Sequence, residues 1–259
     1  SAPVLEAGDV ELAQNLPRDS VHLIVGGHTH DALNEHGLDP GNIIHGIPIV
    51  QAGAMGRFIG EVEITLHDRI EVTAARLIPT QDLPVNEDFE REEVQPLIAR
   101  VRPLFARSLG RVAPHPDLSS EAVHSAFAAG ESALANFITD ALVQRCRAAG
   151  YEVDFAMIDR SCLRCGVPAG GDLTLSDWFY VMPFADNVRL YQMTGQQVAA
   201  LLDDNARRAE RSDETHAERG FLHFSRQVRY TVELGEDRGL ARATNATVHG
   251  VPLSEQPTR

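Results

Sequence analysis

Val21-His22-Leu23-Ile24-Val25-Gly26-Gly27-His28-Thr29-His30-Asp31 decides how this chain is read. An apolar, β-branched run ends in two glycines, and two histidines follow with one residue between them. The run has the composition of a buried strand bounded by a turn. Glycine lets the backbone turn sharply as the strand ends. His28 and His30 then fall on a loop at the strand's carboxyl end, where open α/β sheets bind ligands. Imidazoles so spaced can reach one shared site, and two-metal centres hold their ions only about 3.5–4 Å apart. A strand end with two solvated histidines is the other reading of the same residues.

Outward from this stretch the elements follow from hydrophobic period. Upstream, residues 9–16 place Val10, Leu12 and Leu16 near helical spacing, and Pro17-Arg18-Asp19-Ser20 ends the helix. Downstream, residues 43–44, 47–50, 58–66 and 70–79 read as strands, with Gly53, Gly56 and Gly60 at a tight turn. His45, just before a hairpin, reads as a surface or packing residue. Residues 80–86 form a polar joint. Over 87–109, Val94, Leu97, Ile98, Val101, Leu104 and Phe105 repeat at three and four, so a helix is expected there, bent or split at Pro96 and Pro103. Its first turns carry Glu87 to Glu93, acids that suit a helix N-terminus.

A second domain is expected from Arg111 onward. Residues 132–147 form an amphipathic helix and 154–158 a short strand. Residues 188–193 read as a strand that turns at Thr194-Gly195 into a helix over 196–206, with Thr194 as N-cap. Residues 209–219 are charged loop. Residues 221–234 and 243–253 read as strands.

The chain has 259 residues, enough for one large domain or two smaller ones, and 43 % are hydrophobic, enough for a real core. Lys and Arg number 23 against 37 Asp and Glu, a formal net charge of -14. Such a surface repels nucleic acid polymers and anionic membranes. It also repels phosphate, so a phosphoester site needs local positive charge from metals or arginine. There is no run of 18 apolar residues, so no membrane span is expected, and no signal-peptide pattern is visible. Three cysteines make no disulfide scaffold. Cys162 and Cys165 have redox or metal spacing but lack a second pair.

Gly26-Gly27-His28-Thr29-His30 resembles the last metal-ligand motif of the calcineurin-like metallophosphoesterases, in their 5'-nucleotidase branch. Residues 48–60, PIVQAGAMGRFIG, resemble the segment that follows it there, and the resemblance runs on through IDRSCLR and VMPFADN to about residue 255. It implies an α/β (α+β) chain: residues 1–80 as the edge of a metallophosphoesterase β-sandwich flanked by helices, 81–110 as a linker helix, and 111–259 as a mixed substrate-binding domain. It implies two divalent metal ions in the intact enzyme, with His28 and His30 as ligands, a nucleotide or other small phosphoester as substrate, and a periplasmic or extracellular location.

By the same resemblance, Ile158-Asp159-Arg160-Ser161-Cys162-Leu163-Arg164 stands where the family has an Asn-Gly-Gly-Gly-Ile-Arg loop holding the nucleoside. Asp159 stands for the asparagine, Arg164 for the substrate-binding arginine, and Phe184 for one of two rings that sandwich the base. A phenyl face offers base stacking worth about 1–3 kcal/mol, and a guanidinium offers directed donors. Arg160, Ser161 and Cys162 replace glycines, so a bulkier loop is expected. Gly130 lies where some members carry another arginine, while Glu131 and Asn136 match a structural helix start.

The family takes most of its metal ligands from Asp-x-His, Gly-Asp and Gly-Asn-His motifs. This chain has no Asp-x-His, and its Gly-Asn pair, Gly41-Asn42, is followed by Ile43. The expected reading is therefore the middle and later part of a metal-dependent nucleotide phosphohydrolase, inactive by itself, with no general acid among its residues. Two alternatives share the sequence features: a related thiohydrolase of sulfur oxidation, and a non-catalytic nucleoside-binding protein that lost its metal centre.

Overall fold

The computed structural model of the chain describes residues 8–168, 170–209, 220–237 and 239–255. The chain divides into two compact units, Ser1–Glu92 and Glu93–Arg259.

The first unit holds α1 (Asp9–Asn15), β1 (Ile24–Val25), β2 (Ile43–Ile44), β3 (Ile47–Val50), β4 (Phe58–Leu66), β5 (Ile70–Pro79) and the short α2 (Glu87–Phe89). β3 is central in a β1-β3-β2 sheet and is buried at every residue, which explains its unbroken apolar sequence. β1 runs parallel to it, pairing Ile24 with Ile49 and Val25 with Val50. β2 runs antiparallel, joined through His45 (φ 52) and Gly46 (φ 83), the two left-handed residues a tight hairpin needs. His45 thus sits in a turn, with Nδ1 3.3 Å from the Ala13 carbonyl of α1. Ala13, Ile24, Ile47 and Ile49 form the core, with Leu16, Val21, Leu33 and Ile44 against it. β4 and β5 form a long antiparallel hairpin with a bulge at Glu63/Ile64. Ala75 and Leu77 of β5 are buried, whereas Ile59, Ile64 and Leu66 of β4 are 49 %, 54 % and 73 % exposed.

The helix expected over 87–109 is composite and shorter. A π-helical turn, Glu90–Val94, separates α2 from α3 (Gln95–Phe105). It lies just before Pro96, whose ring crowds the preceding turn and whose missing N–H leaves a carbonyl without its usual donor. Pro103 removes another donor within α3, and the chain leaves the helix after Phe105 to become β6 (Ser108–Val112).

The second unit continues with α4 (Ser120–Ala129), α5 (Ala133–Ala148), β7 (Met157–Asp159), β8 (Gly171–Thr174), α6 (Leu175–Val181), α7 (Gly195–Ala209), β9 (Leu222–Phe224), β10 (Val228–Glu233), β11 (Arg242–Val248) and β12 (Val251–Pro252). β6 pairs with β8, β7 with β9, and β10-β11-β12 form an antiparallel sheet. One core gathers Val123, Leu134, Ile138, Leu163, Val167 and Val181; the other gathers Val198, Leu202, Phe224, Val228, Val248 and Leu253. β7 lies between them. Ile158 packs on the first core and Met157 on the second, as strand alternation requires.

Three strand expectations are corrected. The run 221–234 is two strands, because a turn closed by the Val228 N–H on the Ser225 carbonyl at 3.0 Å separates β9 from β10. The run 243–253 breaks at His249 and Gly250, which turn with φ 54 and 79. Residues 188–193 form no strand, although the sequence alternates. Most of the charged loop, residues 210–219, lies outside the described residues. α4, β6 and β8 are elements the sequence reading did not assign.

Candidate functional site

In the first unit the two histidines sit on a strained, tightly held loop. β1 ends as the Gly26 N–H bonds the Val50 carbonyl at 2.8 Å. A Cβ at position 26 would displace the Asp9 carboxylate of α1. The Thr29 N–H then bonds the Gly27 carbonyl at 2.8 Å, closing a three-residue turn centred on His28. His28 has φ 72 and His30 has φ 66, a left-handed conformation costing roughly 1–3 kcal/mol for each non-glycine residue. Both imidazoles are exposed.

Gln51 holds this loop. It is 4 % exposed, at the end of β3. With its amide oriented so that the oxygen faces the loop, that oxygen accepts from the His30 and Asp31 N–H groups at 2.9 and 2.8 Å and from the Thr29 hydroxyl at 2.8 Å. The Asp31 carbonyl accepts from Gly53 N–H at 2.8 Å, and the Gln51 carbonyl from Leu33 N–H at 2.9 Å. The backbone strain is therefore offset by a buried side chain 22 residues beyond Thr29, a partner that sequence spacing did not reveal.

His28 and His30 supply two nitrogen donors. Among the described residues, no group of three or more His, Cys, Asp or Glu side chains converges as a metal site. The residues present do not by themselves fit a two-metal centre.

In the second unit β7 delivers Asp159 to the start of a 3-10 turn, Arg160–Cys162. The Asp159 carboxylate accepts from the Ser161 N–H at 2.7 Å. Leu163 plunges into the first core at 2 % exposure and pins the loop. The Arg164 N–H donates to the Val181 carbonyl at 2.9 Å, tying the loop to the end of α6. From there the Arg164 guanidinium lies 5.1 Å from the centroid of the Phe184 ring, within cation–π range. Arg164 and Phe184 are both exposed, Phe184 at 44 %. The loop returns through Gly166, where a Cβ would collide with the Leu118–Ser120 backbone.

Cys162 links the loop to the residues after Phe184. Its Sγ lies 3.9 Å from Asp186 Oδ2. Burial pushes its thiol up, Asp159 and Asp186 push it further, and Arg164 opposes them. The Cys165 thiol is raised by burial. These are free, protonated thiols, not activated nucleophiles.

Arg164 and Phe184 thus come together. Asp159 is on the same turn, and among the described residues it forms no ion pair with Arg164. Of the residues that make the loop bulkier, Arg160 turns inward. It is 2 % exposed, with its guanidinium 5.9 Å from the Phe221 ring centroid. Beside it His223, 3 % exposed, is pushed down to about 4 by burial and by the Arg160 charge. The sequence did not reveal Gln51 or Asp186 as partners, the Cys162–Asp186 contact, or the burial of Arg160 beside His223.

The fold is that of a two-unit, mixed α/β protein whose second unit presents an arginine–aromatic surface. Residues 111–258 match the model of the "5'-nucleotidase, C-terminal domain" family, and the chain belongs to that family. The 5'-nucleotidase of Vibrio cholerae is 26 % identical over 222 residues, 76 % of this chain and 39 % of the relative. Protein UshA of Escherichia coli is 26 % identical over 222 residues, 74 % and 38 %. The trifunctional nucleotide phosphoesterase YfkN of Bacillus subtilis is 24 % identical over 210 residues, 78 % and 13 %. This chain therefore spans at most about two fifths of these relatives. A Staphylococcus aureus protein assigned as a 5'-nucleotidase, solved in complex with alpha-ketoglutarate, shares the fold with TM-score 0.63 and 18 % identity, covering 92 % of this chain and 45 % of its own.

Proposed function

We propose that the chain is the substrate-binding part, with one edge of the metal-binding part, of a metal-dependent hydrolase releasing phosphate from nucleotides. The observation that carries this reading is the Arg164–Phe184 pair on the surface of a unit belonging to the 5'-nucleotidase C-terminal family. An exposed ring backed by a guanidinium gives a nucleoside a stacking face and an anion partner on a locally fixed loop. Asp159, on the adjoining turn, is the polar group for the base or ribose. In this reading residues 1–80, 81–110 and 111–259 are the metallophosphoesterase edge, the linker and the substrate domain.

His28 and His30 are proposed as ligands of two divalent metals, with the remaining donors supplied from outside these residues. Bound metals would polarise the phosphate. No reaction step is assigned to the chain, whose described residues converge in no complete metal site and which is expected to be inactive alone. A periplasmic or extracellular location is proposed from the family and from the kinship to Lmo0130 of Listeria monocytogenes, named a cell wall protein and 25 % identical over 203 residues. No described helix is long and apolar enough to cross a membrane.

The test is calorimetric titration of the 259-residue chain with nucleoside monophosphates. Saturable binding is expected, and Arg164→Ala should weaken it roughly 10- to 150-fold, the equivalent of about 1.5–3 kcal/mol for a charged hydrogen bond. Phe184→Ala should weaken it less. Unchanged affinity in Arg164→Ala would remove the site, and metal-dependent phosphate release by this chain alone would remove the assignment of incompleteness.

A further inference from the structure

Two residues beyond the Phe184 ring stands a carboxylate without a strong partner. Asp186 is exposed, and among the described residues its one hydrogen bond is the weak contact from the Cys162 thiol to Oδ2 at 3.9 Å. Asp159 differs, since one of its carboxylate oxygens already accepts from the Ser161 N–H at 2.7 Å. The loop from Asp159 to Arg164 faces residues 184–186 at two points. The Arg164 guanidinium lies 5.1 Å from the Phe184 ring centroid, and Cys162 meets Asp186. The Cys162 thiol feels Asp159, Asp186 and Arg164 together, which gathers the three charges about one surface.

We propose that the Asp186 carboxylate selects guanine nucleotides, accepting from the N1–H and 2-amino groups of a base stacked on Phe184. This rests on the nucleotide-binding reading above and names the base within it. A carboxylate accepts hydrogen bonds and donates none. Its two oxygens, side by side, fit two parallel N–H donors, the geometry of bidentate pairs. Among the common nucleobases guanine alone presents such a pair on one edge. Adenine and cytosine place a ring acceptor beside their amino group. Hypoxanthine and uracil place a carbonyl beside their N–H. A carboxylate repels those neighbouring acceptors.

The placement fits this role. Phe184 and Asp186 are separated by one residue, and both turn toward the same loop. A base lying on the Phe184 face therefore brings its edge toward Asp186. An amide in this place would both donate and accept, and so would tolerate every base. A good bidentate pair discriminates by roughly 5- to 150-fold. The exposure of Asp186 puts this pair near the lower end, since water competes for the same donors. A ribose 2',3'-diol would offer the carboxylate two O–H donors, so base and sugar are separated by experiment.

Calorimetric titration of the 259-residue chain with GMP, IMP, AMP and dGMP tests it. GMP and dGMP should bind about 10-fold more tightly than IMP and AMP. IMP is the stringent comparison, since it differs from GMP only in lacking the 2-amino group. Asp186→Asn should leave GMP and AMP about equal. Removing one negative charge shifts all four nucleotides alike, so the ratio isolates the base. Equal affinity for GMP and IMP in the parent chain would overturn the inference, as would a GMP preference that survives Asp186→Asn. Weaker binding of dGMP, with GMP and IMP equal, would assign Asp186 to the ribose and overturn it too. Saturable but unselective binding would leave the nucleotide reading standing without this inference, whereas binding of none of the four would remove both.

Discussion

At the scale of single residues, two buried polar side chains do what their sequence neighbourhoods hide. Gln51 stabilises a loop with two left-handed histidines by accepting from consecutive backbone N–H groups. Gln51→Ala should remove the protein acceptor of those donors, at about 1 kcal/mol for each hydrogen bond lost. We expect the amides of His30 and Asp31 to lose protection in hydrogen exchange; unchanged protection would mean the turn holds itself. His223 carries a different liability. Its ordinary pKa of about 6.5 applies to the unfolded chain, whereas in the fold it is pushed down to about 4. Above pH 6.5 both states are neutral and there is no penalty. As pH falls from 6.5 toward 4 the unfolded chain takes a proton that the folded chain refuses, so stability is lost through that window and no further below it. The difference is on the order of 3 kcal/mol. Urea midpoints of the second unit should fall over that range, and His223→Gln should flatten this part of the profile. An equal acid loss in the variant would assign it to other groups.

At the scale of elements, the Arg160–Cys162 turn separates a structural role from a binding role. Asp159 caps it through one carboxylate oxygen. Asp159→Ala should therefore cost about 1 kcal/mol of stability, while Asp159→Asn keeps an oxygen for Ser161 and adds donors. The asparagine variant should bind nucleosides more tightly with little change in melting temperature. Weaker binding by it would show that the second carboxylate oxygen, not a lost amide, meets the ligand. Elements with a clear period were legible: α5, α7, β4 and β5 lie within a few residues of where apolar spacing put them. β6 was not, because Ser108, Gly110 and Arg111 give it no apolar face, and its residues are mostly exposed. Residues 188–193 show the converse, alternating in sequence yet forming no strand. Alternation records what a segment can pair with, not that it is paired. Of the candidate site, Arg164 and Phe184 were named through the family resemblance, and the structure brings the two side chains together. Gln51, Asp186 and the inward Arg160 were not, because their roles depend on which distant elements become neighbours.

At the scale of the molecule, the two units are unequally provided with core. Among the described residues the first has one small buried cluster, Ala13, Ile24, Ile47 and Ile49. It also leaves large apolar side chains in water: Val25 is 76 % exposed, Met55 87 % and Leu66 73 %, and among the described residues β1 pairs with β3 alone. Apolar burial stabilises at about 25 cal/mol for each Å² removed from water, so what stays exposed contributes nothing. The second unit encloses two clusters, with Leu202, Ala135 and Val181 fully buried. The units should therefore unfold separately and in a fixed order. In hydrogen exchange at increasing urea, amides of β3 and of the β4–β5 hairpin should lose protection before those of α5, α7 and β10. The intermediate, with the first unit open, should also bind a hydrophobic dye more strongly than either end state. A single coincident transition across all these peptides would show that the two units fold as one, and that the exposed strands of the first draw stability from the rest of the chain.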